Sequence, residues 1–244
     1  MIATWQETLG WQPTPFQQAY FQQLYELVLQ ANQQLNLTRI TAPIDFWEKH
    51  LWDALRGIQP FLEDGSPELS PALIDVGTGA GFPGLPIAIV QPHWQVTLVD
   101  STRKKVQFVQ QAIAELGLSP AIVCVDRAET MGQAIAHREH YDYATIRAVA
   151  EAAVCAEYTL PLLKLGGWAI LYRGQWTDQD TANLMPAVNT LGGRLERVER
   201  FVTPVSHSSR ACVYIRKVRP TPHSYPRAVG VPTQFPLNST VSTA

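Results

Sequence analysis

The sequence predicts an α/β protein with a mostly parallel, doubly wound sheet, a closing antiparallel strand and an N-terminal helical extension. Three observations predict it. Short apolar runs at 72–76, 96–99, 121–125, 142–147 and 168–172 alternate with helical patterns at 85–90, 103–116, 130–137, 151–164 and 178–191. Strands separated by helices of this length are the pattern of parallel pairs joined by crossovers. Two later runs, 197–202 and 211–218, are joined by a short polar loop and read as a closing antiparallel hairpin. The chain ahead of Pro60 carries only helical periodicity.

The elements follow in order. Residues 14–36 read as a helix, with Thr14 as N-cap, Pro15 in the first turn, and Phe16, Tyr20, Leu24, Leu27 and Val28 recurring on one face. The pattern breaks from Asn32 to Thr38. A second helix covers Ile44 to Ile58, with Phe46, Trp47, Leu51 and Leu55 inward. Pro60 to Pro71 mixes Gly, Ser, Pro and acids, as linkers do. The clearest helix, 103–116, has Val106, Val109, Ile113 and Leu116 as its apolar stripe and Gly117 as its stop. From Pro220 the chain is rich in Pro, Ser and Thr and is expected to be partly unpacked. These signals divide the chain into an N-terminal helical extension and linker (1–71), a main domain (72–219) and a C-terminal tail (220–244), without internal repeats.

Bulk composition narrows the class. The 244 residues are 46% hydrophobic, enough for one sizeable core, and the net charge is −2. Charge is uneven along the chain. Residues 1–70 hold three Lys/Arg against eight Asp/Glu, whereas 194–227 hold eight against two. A cationic face of that kind suits phosphate, and equally a solvated surface. Cys124, Cys155 and Cys212 form no CxxC pair and sit among apolar residues, so buried free thiols are expected and a metal site is not. No apolar run approaches a membrane span, and the N-terminus lacks a signal pattern; a soluble cytoplasmic protein without a membrane partner is expected.

The chemistry concentrates at Leu73-Ile-Asp-Val-Gly-Thr-Gly-Ala-Gly-Phe-Pro-Gly84. An apolar strand ends in an acid and runs into a glycine-rich turn, which lets main chain approach a ligand at the carboxyl end of a strand. A second strand, Val96 to Val99, ends in Asp100. Together they point to an adenosine-bearing cofactor. Gly77, Gly79 and Gly81 form GxGxG; a second register from Gly79 formally matches the dinucleotide pattern GxGxxG. The first is preferred, because the strand ends at Val76 and because Pro83 and Pro86 delay the helix whose amides a pyrophosphate needs. Asp75 favours a cationic ligand. S-adenosylmethionine carries a sulfonium and an ammonium group and no phosphate. Asp100 would then accept from the ribose hydroxyls, or simply cap the next helix. After the third strand, Asp126 to Glu129 places an acid for the adenine amine, with Ala128 against the ring. Arg147 ends the fourth strand beside the crevice, with an ion pair to Glu151 or Asp142 as the alternative.

These stretches, with Leu98-Val-Asp-Ser101, Lys104-Lys105, Arg127-Ala-Glu129 and Arg147-Ala-Val-Ala150, resemble the glucose-inhibited division protein B family, the guanine-N7 methyltransferase G of bacterial small-subunit (16S) ribosomal RNA. Asn32-Gln-Gln-Leu-Asn-Leu-Thr38 and His50-Leu-Trp-Asp-Ala-Leu55 resemble the family's N-terminal part, and Tyr225-Pro-Arg-Ala-Val-Gly230 its C-terminal signature. Ala54 and Arg103 depart from the family's usual serine and small residue. The resemblance implies a Rossmann-like class I methyltransferase fold, with cofactor contacts at Gly77, Phe82, Asp100, Ser101, Thr102, Ala128, Glu129 and Arg147. It implies 16S ribosomal RNA or the small ribosomal subunit as partner. Guanine N7 is an unprotonated lone pair, so the enzyme's work would be alignment, and no catalytic base is assigned. His50 with Asp53 reads as a capped or solvated pair; Phe82 and Tyr172 read as purine-stacking or as core. Arg194, Arg197, Arg210, Arg216, Lys217 and Arg227 are candidates for RNA phosphates. The alternatives are an NAD-dependent oxidoreductase, a methyltransferase of small molecules, or an RNA-binding module with a vestigial pocket.

Overall fold

The computed structural model describes residues 2–62 and 70–237, so most of the expected linker (63–69) and the end of the expected tail (238–244) lie outside the described residues. Two compact units are present, one running to Val125 and including Val202–Ser208, the other comprising Asp126–Phe201 and the chain from Ser209.

The first unit opens with α1 (Ile2–Leu9) and α2 (Pro15–Leu35). Helix α2 starts where Thr14 predicts. The Thr14 hydroxyl accepts from the Gln17 amide, and the Thr14 amide donates to Gln17 Oε1 at 2.9 Å, a reciprocal cap. Its buried stripe differs from the expectation. Phe21, Leu24 and Val28 are buried, while Phe16 is 80% exposed and Tyr20 is also exposed. The reason is α1, which the sequence reading did not mark: its Trp5 packs 5.5 Å from the Phe21 ring, and that contact fixes the helix rotation. The segment α3 (Pro43–Phe46), a π-helical stretch Trp47–Trp52 and α4 (Asp53–Ile58) follow as the expected second helix. Phe46, Trp47, Leu51 and Leu55 are buried as expected.

Next come β1 (Ala72–Val76), α5 (Gly84–Val90), β2 (Gln95–Asp100), α6 (Arg103–Glu115) and β3 (Ile122–Val125). The strands β3-β2-β1 pair in parallel, with Val76 beside Val99 and Asp100 beside Val125. Every residue of β1 is buried, which is why it reads as an unbroken apolar run around one acid. Helix α6 ends on Gly117 at φ +61°, with the Leu118 amide reaching back to Ile113 O at 3.0 Å, a glycine-closed C-terminus. The buried Glu48 accepts from the amide of Ser206 at 2.9 Å and from that of Val205, fastening the 202–208 loop to the π-helical turn.

The second unit holds α7 (Ala128–Gln133), β4 (Tyr141–Arg147), α8 (Ala152–Thr159), β5 (Leu163–Arg173), α9 (Asp178–Thr190), β6 (Gly193–Val202), β7 (Ser209–Lys217) and α10 (Val231–Gln234). Strands β4 and β5 are parallel, and β7 runs antiparallel to β5, placing Trp168 opposite Arg216. Helix α8 stops earlier than expected because Pro161 opens a 3-10 turn, Leu160–Leu162; a proline has no amide to continue an α-helix. Helix α7 starts and ends earlier than expected, at Ala128 rather than 130. The full strand order is β3-β2-β1-β4-β5-β7-β6, a mixed seven-stranded sheet, mostly parallel, with β7 as the antiparallel addition that the hairpin pattern predicts.

The chain from Thr221 to Gly230 corrects the expectation of a partly unpacked tail for that stretch, while Thr233 to Phe235 are exposed. Arg138 donates to the carbonyls of Thr221 and Tyr225 at 2.8 and 2.7 Å. Arg227 clasps Glu157, whose side chain is fully buried, at 2.7 Å.

Candidate functional site

The glycine turn begins where β1 ends. The Thr78 amide donates to Val99 O at 2.8 Å, extending the parallel ladder by one bond before the chain turns away. Gly77, Gly79 and Gly81 have φ of +69°, +61° and +92°, the left-handed region in which a side chain is strained. A Cβ on Gly79 would meet no atom within 4 Å, so the bare main chain there borders open space. Gly84 is bare for another reason: its Cβ would lie 2.6 Å from Leu98 and 2.9 Å from the Asp75 carboxylate.

Asp75 is fully buried, and its Oδ2 accepts from the Thr78 hydroxyl at 2.6 Å and from the Gly84 amide at 2.9 Å. The loop itself therefore engages this carboxylate, tying its start to its end. Asp100 sits at the end of β2 and has a different role. Its Oδ2 accepts from the Gly79 amide at 3.0 Å and its Oδ1 from the Thr102 amide at 2.8 Å, with Lys105 Nζ at 3.8 Å. A carboxylate has about four lone-pair sites, so further acceptor capacity remains. Ser101 and Thr102 are exposed beside it, and Thr102 N-caps α6 without a side-chain bond.

One consequence distinguishes ligands. The amides of Thr78, Gly79, Gly81, Phe82 and Gly84 all donate to acceptors of the protein: Val99 O, Asp100, Thr78 O twice, and Asp75. A pyrophosphate seat needs such donors aimed outward. A loop that spends them internally and carries two carboxylates suits a phosphate-free, sulfonium-bearing nucleoside.

Phe82 is buried. Its ring stacks on His50, with centroids 4.3 Å apart and planes 14° from parallel, and meets Phe46 edge-on at 5.5 Å. The imidazole Nε2 lies 3.0 Å from Thr38 Oγ1. His50 is thus a packing partner of the loop. Asp53 is buried as well. Tyr172, the other aromatic considered for stacking, is buried in β5.

In the second unit, Ala128 opens α7 and Arg147 closes β4, opposite Tyr172. Glu129 is buried; its Oε1 accepts from the Tyr158 hydroxyl at 3.1 Å and the Gly230 amide at 3.0 Å, and Oε2 lies 3.7 Å from Arg127. Burial and the neighbouring Glu129 push the Tyr158 phenol up and keep it protonated. Gly230 comes from the C-terminal segment, a partner that spacing in the sequence does not reveal. Thr78, Gly84 and Glu157 were likewise not singled out, although the fourth glycine of the motif was a signal for the close approach at Gly84.

The six cationic candidates separate. Lys217 is fully buried, with Nζ donating to Leu160 O at 2.7 Å and lying 3.5 Å from Glu139; this corrects its assignment to an RNA-facing surface. Burial pulls its pKa down to about 8. Arg227 is committed to Glu157, and Arg194 and Arg197 pair with Glu196 and Glu199 at 2.6 and 2.9 Å. Arg216 lies over the Trp168 ring at 4.5 Å, and Arg210 bonds Ser209 O at 3.0 Å; neither forms an ion pair among the described residues. The thiols of Cys155 and Cys212 are buried and that of Cys124 is half-buried; burial pushes Cys155 up to about 11.

Comparison with known proteins gives the geometry a context. Residues 17–209 match the family described as rRNA small subunit methyltransferase G. The chain is 58% identical over 243 residues to the ribosomal RNA small subunit methyltransferase G of Trichormus variabilis, with 97% of each chain covered. It is 53% identical to the protein of that name from Synechococcus elongatus, covering 97% of this chain and 96% of that one. Among solved structures, a 16S rRNA (adenine(1408)-N(1))-methyltransferase mutant from Catenulisporales acidiphilia with cosubstrate SAM superposes with a TM-score of 0.53 at 17% identity, over 66% of this chain and 91% of that one. No described helix is long and apolar enough to cross a membrane.

Proposed function

The chain belongs to the rRNA small subunit methyltransferase G family, and from that premise we propose that it transfers a methyl group from S-adenosylmethionine to N7 of a guanine in 16S ribosomal RNA. The observation that carries the reading is the glycine loop. The amides of Thr78, Gly79, Gly81, Phe82 and Gly84 donate within the protein, its left-handed glycines leave open space at Gly79, and the carboxylates of Asp75 and Asp100 hold the turn.

In this reading Gly77, Gly79 and Gly81 admit the cofactor against bare main chain. Asp75 acts through the loop it braces. Asp100 accepts from the ribose hydroxyls on its remaining lone pairs, with Ser101 and Thr102 alongside. Phe82 closes the loop from beneath. The roles of Ala128, Glu129 and Arg147 rest on the family resemblance; Arg210 and Arg216 are the remaining candidates for RNA phosphates. The partner is 16S RNA, alone or in the small subunit, and the place of work is the cytoplasm.

Bound S-adenosylmethionine supplies an electrophilic methyl group on a sulfonium. Guanine N7 presents a lone pair at neutral pH, so no residue has to remove a proton first. The chain's contribution is orientation of the two reactants and exclusion of water, which together lower the barrier by converting an encounter into a fixed approach.

Calorimetry with S-adenosylmethionine and with its demethylated product should give saturable binding of both, and none for NAD. Small-subunit RNA from cells lacking the protein should gain N7-methylguanine when treated with protein and cofactor. Cofactor binding without that mark on RNA or subunits would overturn the substrate.

A further inference from the structure

The first unit carries a half-open groove of about 290 Å³ between α2 and α6 that the cofactor reading does not use. Gln30 and Gln34 line it from α2, Lys104 and Gln107 from α6, over a floor that includes Leu27 and the buried Phe108. Spacings of three and four keep each pair on one helix face. The two helices run antiparallel. Gln23 Nε2 donates to Glu115 O at 3.3 Å, so the first half of α2 lies beside the end of α6. Leu35 and Lys104, which both line the groove, mark its other end. Asp100, which holds the Gly79 amide, stands one turn ahead of Lys104 and has Lys105 Nζ at 3.8 Å, so this end adjoins the glycine loop.

The groove has two chemical characters. Along its length it is neutral. Gln111, at the far end, spends its side-chain amide on Glu115 at 2.6 Å, as Gln22 does on Glu26 at 2.8 Å. Gln30, Gln34 and Gln107 are exposed, and their side chains form no hydrogen bond among the described residues. At its mouth the groove is cationic. Elsewhere in this unit Lys49 pairs with Asp45, Lys105 lies by Asp100 and Arg56 has a partner. Arg39, Arg103 and Lys104 are exposed and form no ion pair among the described residues. Arg103 and Lys104 open α6; Arg39 follows the end of α2, on a loop whose Thr38 amide donates back to Asn32 at 2.9 Å. The unpaired cations of a unit that begins with an acidic stretch thus gather at the end of the groove nearest the cofactor loop.

We propose that this groove seats the single-stranded RNA flanking the target guanine, with Gln30, Gln34 and Gln107 bonding ribose 2′-hydroxyls and Lys104, Arg103 and Arg39 holding phosphates at its mouth. The proposal deepens the ribosomal RNA methyltransferase reading and rests on it. A side-chain amide carries donors and an acceptor at one tip, and a 2′-hydroxyl is both donor and acceptor, so glutamine and ribose can satisfy each other in either direction. The α6 lining from Lys104 to Gln111 is about 10 Å long at about 1.5 Å per residue. That length suits a short single strand; modules that read double-stranded RNA span about 16 base pairs. Charge sets the direction of the strand. Phosphates gain at the cationic mouth and are repelled by Glu115 at the far end, so the hold is firmest beside the cofactor loop. A protein segment of the small subunit is the rival occupant, but it has no repeating hydroxyl to match the row of amides. The glutamines are positioning residues: they fix the strand on which N7 approaches the methyl group and touch none of the reacting atoms.

The test uses the full-length protein with undermethylated small-subunit RNA, naked and in the subunit, and reads RNA affinity by filter binding beside steady-state methyl transfer. The variants are Lys104→Ala and the triple Gln30→Ala, Gln34→Ala, Gln107→Ala. The double Gln33→Ala, Gln110→Ala is the control, since it removes exposed glutamines of the same helices from outside the groove. The triple variant should raise the KM for RNA by about fivefold or more, with kcat and S-adenosylmethionine affinity within about twofold of the parent. Lys104→Ala should weaken RNA binding and reduce the slope of log affinity against log salt by about 0.7, the share of one phosphate on a single strand. A triple variant that binds RNA as well as the control does overturns the proposal, and so does a lowered melting temperature with an unchanged KM. Lost activity on the subunit with unchanged affinity for naked RNA assigns the groove to a protein partner and also overturns it. A parent that binds RNA through the groove yet methylates none brings down the underlying reading instead, and leaves the groove's occupant as assigned.

Discussion

The Gly79 amide lies 3.0 Å from Asp100 Oδ2, so the acid that ends the second strand also holds the glycine turn that follows the first. Parallel register makes this possible: Val76 stands beside Val99, which leaves Asp100 level with the start of the turn. The two acids near the loop should therefore respond differently to removal. Asp75→Ala strands the Thr78 hydroxyl and the Gly84 amide in the interior and should cost about 2–5 kcal/mol of stability, read as a lowered melting temperature. Asp100→Ala should weaken S-adenosylmethionine binding about 10–100-fold, as expected for lost charge-assisted bonds, with a much smaller loss of stability. Equal effects of the two variants on both readouts would contradict this division of labour.

His50 should prove to be a support for the loop rather than a base. Its ring lies on Phe82 and its Nε2 bonds Thr38. His50→Ala should cost about 1–3 kcal/mol of stability through the lost stack and the space left behind. Cofactor affinity should fall several-fold with it, and the pH profile of methyl transfer should keep its shape. A large loss of turnover with unchanged cofactor affinity would point to a chemical role.

Lys217 gives the fold a signature in alkaline solution. Burial holds its ammonium down to about 8, against 10.5 for the unperturbed group. Between those values the unfolded chain binds a proton that the folded chain has released, so this group makes stability rise with pH over that window. Below about 8 both states bind the proton and its contribution is flat. Urea unfolding across pH 7.5–10 should show the rise, with a slope up to about 1.4 kcal/mol per pH unit from one such group. Lys217→Met should remove it.

The clasp between Arg227 and Glu157 joins the C-terminal segment to α8. Arg227→Ala leaves a fully buried carboxylate without its cation, a change that costs about 3–5 kcal/mol. Replacing both residues by leucine should recover much of that loss. Limited proteolysis should cut near residue 220 in the single variant and spare the parent.

The parts of the fold that were legible in the sequence are those set by local pattern. The β-branched runs of β1 and β2, the Thr14–Gln17 cap and the stop at Gly117 each carry their cause within a few residues. The glycine turn was legible because only glycine tolerates the dihedrals found there. What escaped depends on distant partners. The stripe of α2 is fixed by Trp5, on a helix with no cap to announce it. The anchoring of residues 221–230 depends on Glu129, Arg138 and Glu157, 70 or more positions away in the Glu157 and Glu129 contacts. Lys217 was readable in part: it shares strand parity with Val213 and Ile215, which face the interior, yet its charge alone suggested solvent. At the candidate site, the acids and glycines were identified from their types, but the sequence could not say that Asp75 turns inward to the loop while Asp100 stays at its rim.

A bend that closes on its own hydrogen bonds has no folding left to do when the nucleoside arrives. The ordering entropy that a floppy loop would surrender on binding has already been met during folding, so occupancy and release both proceed without remodelling of the backbone. Amide hydrogen exchange at Gly79 and Gly84 should accordingly be slow in the empty protein and change little on saturation. A cell could then trade spent cofactor for fresh at the pace of diffusion and desolvation alone.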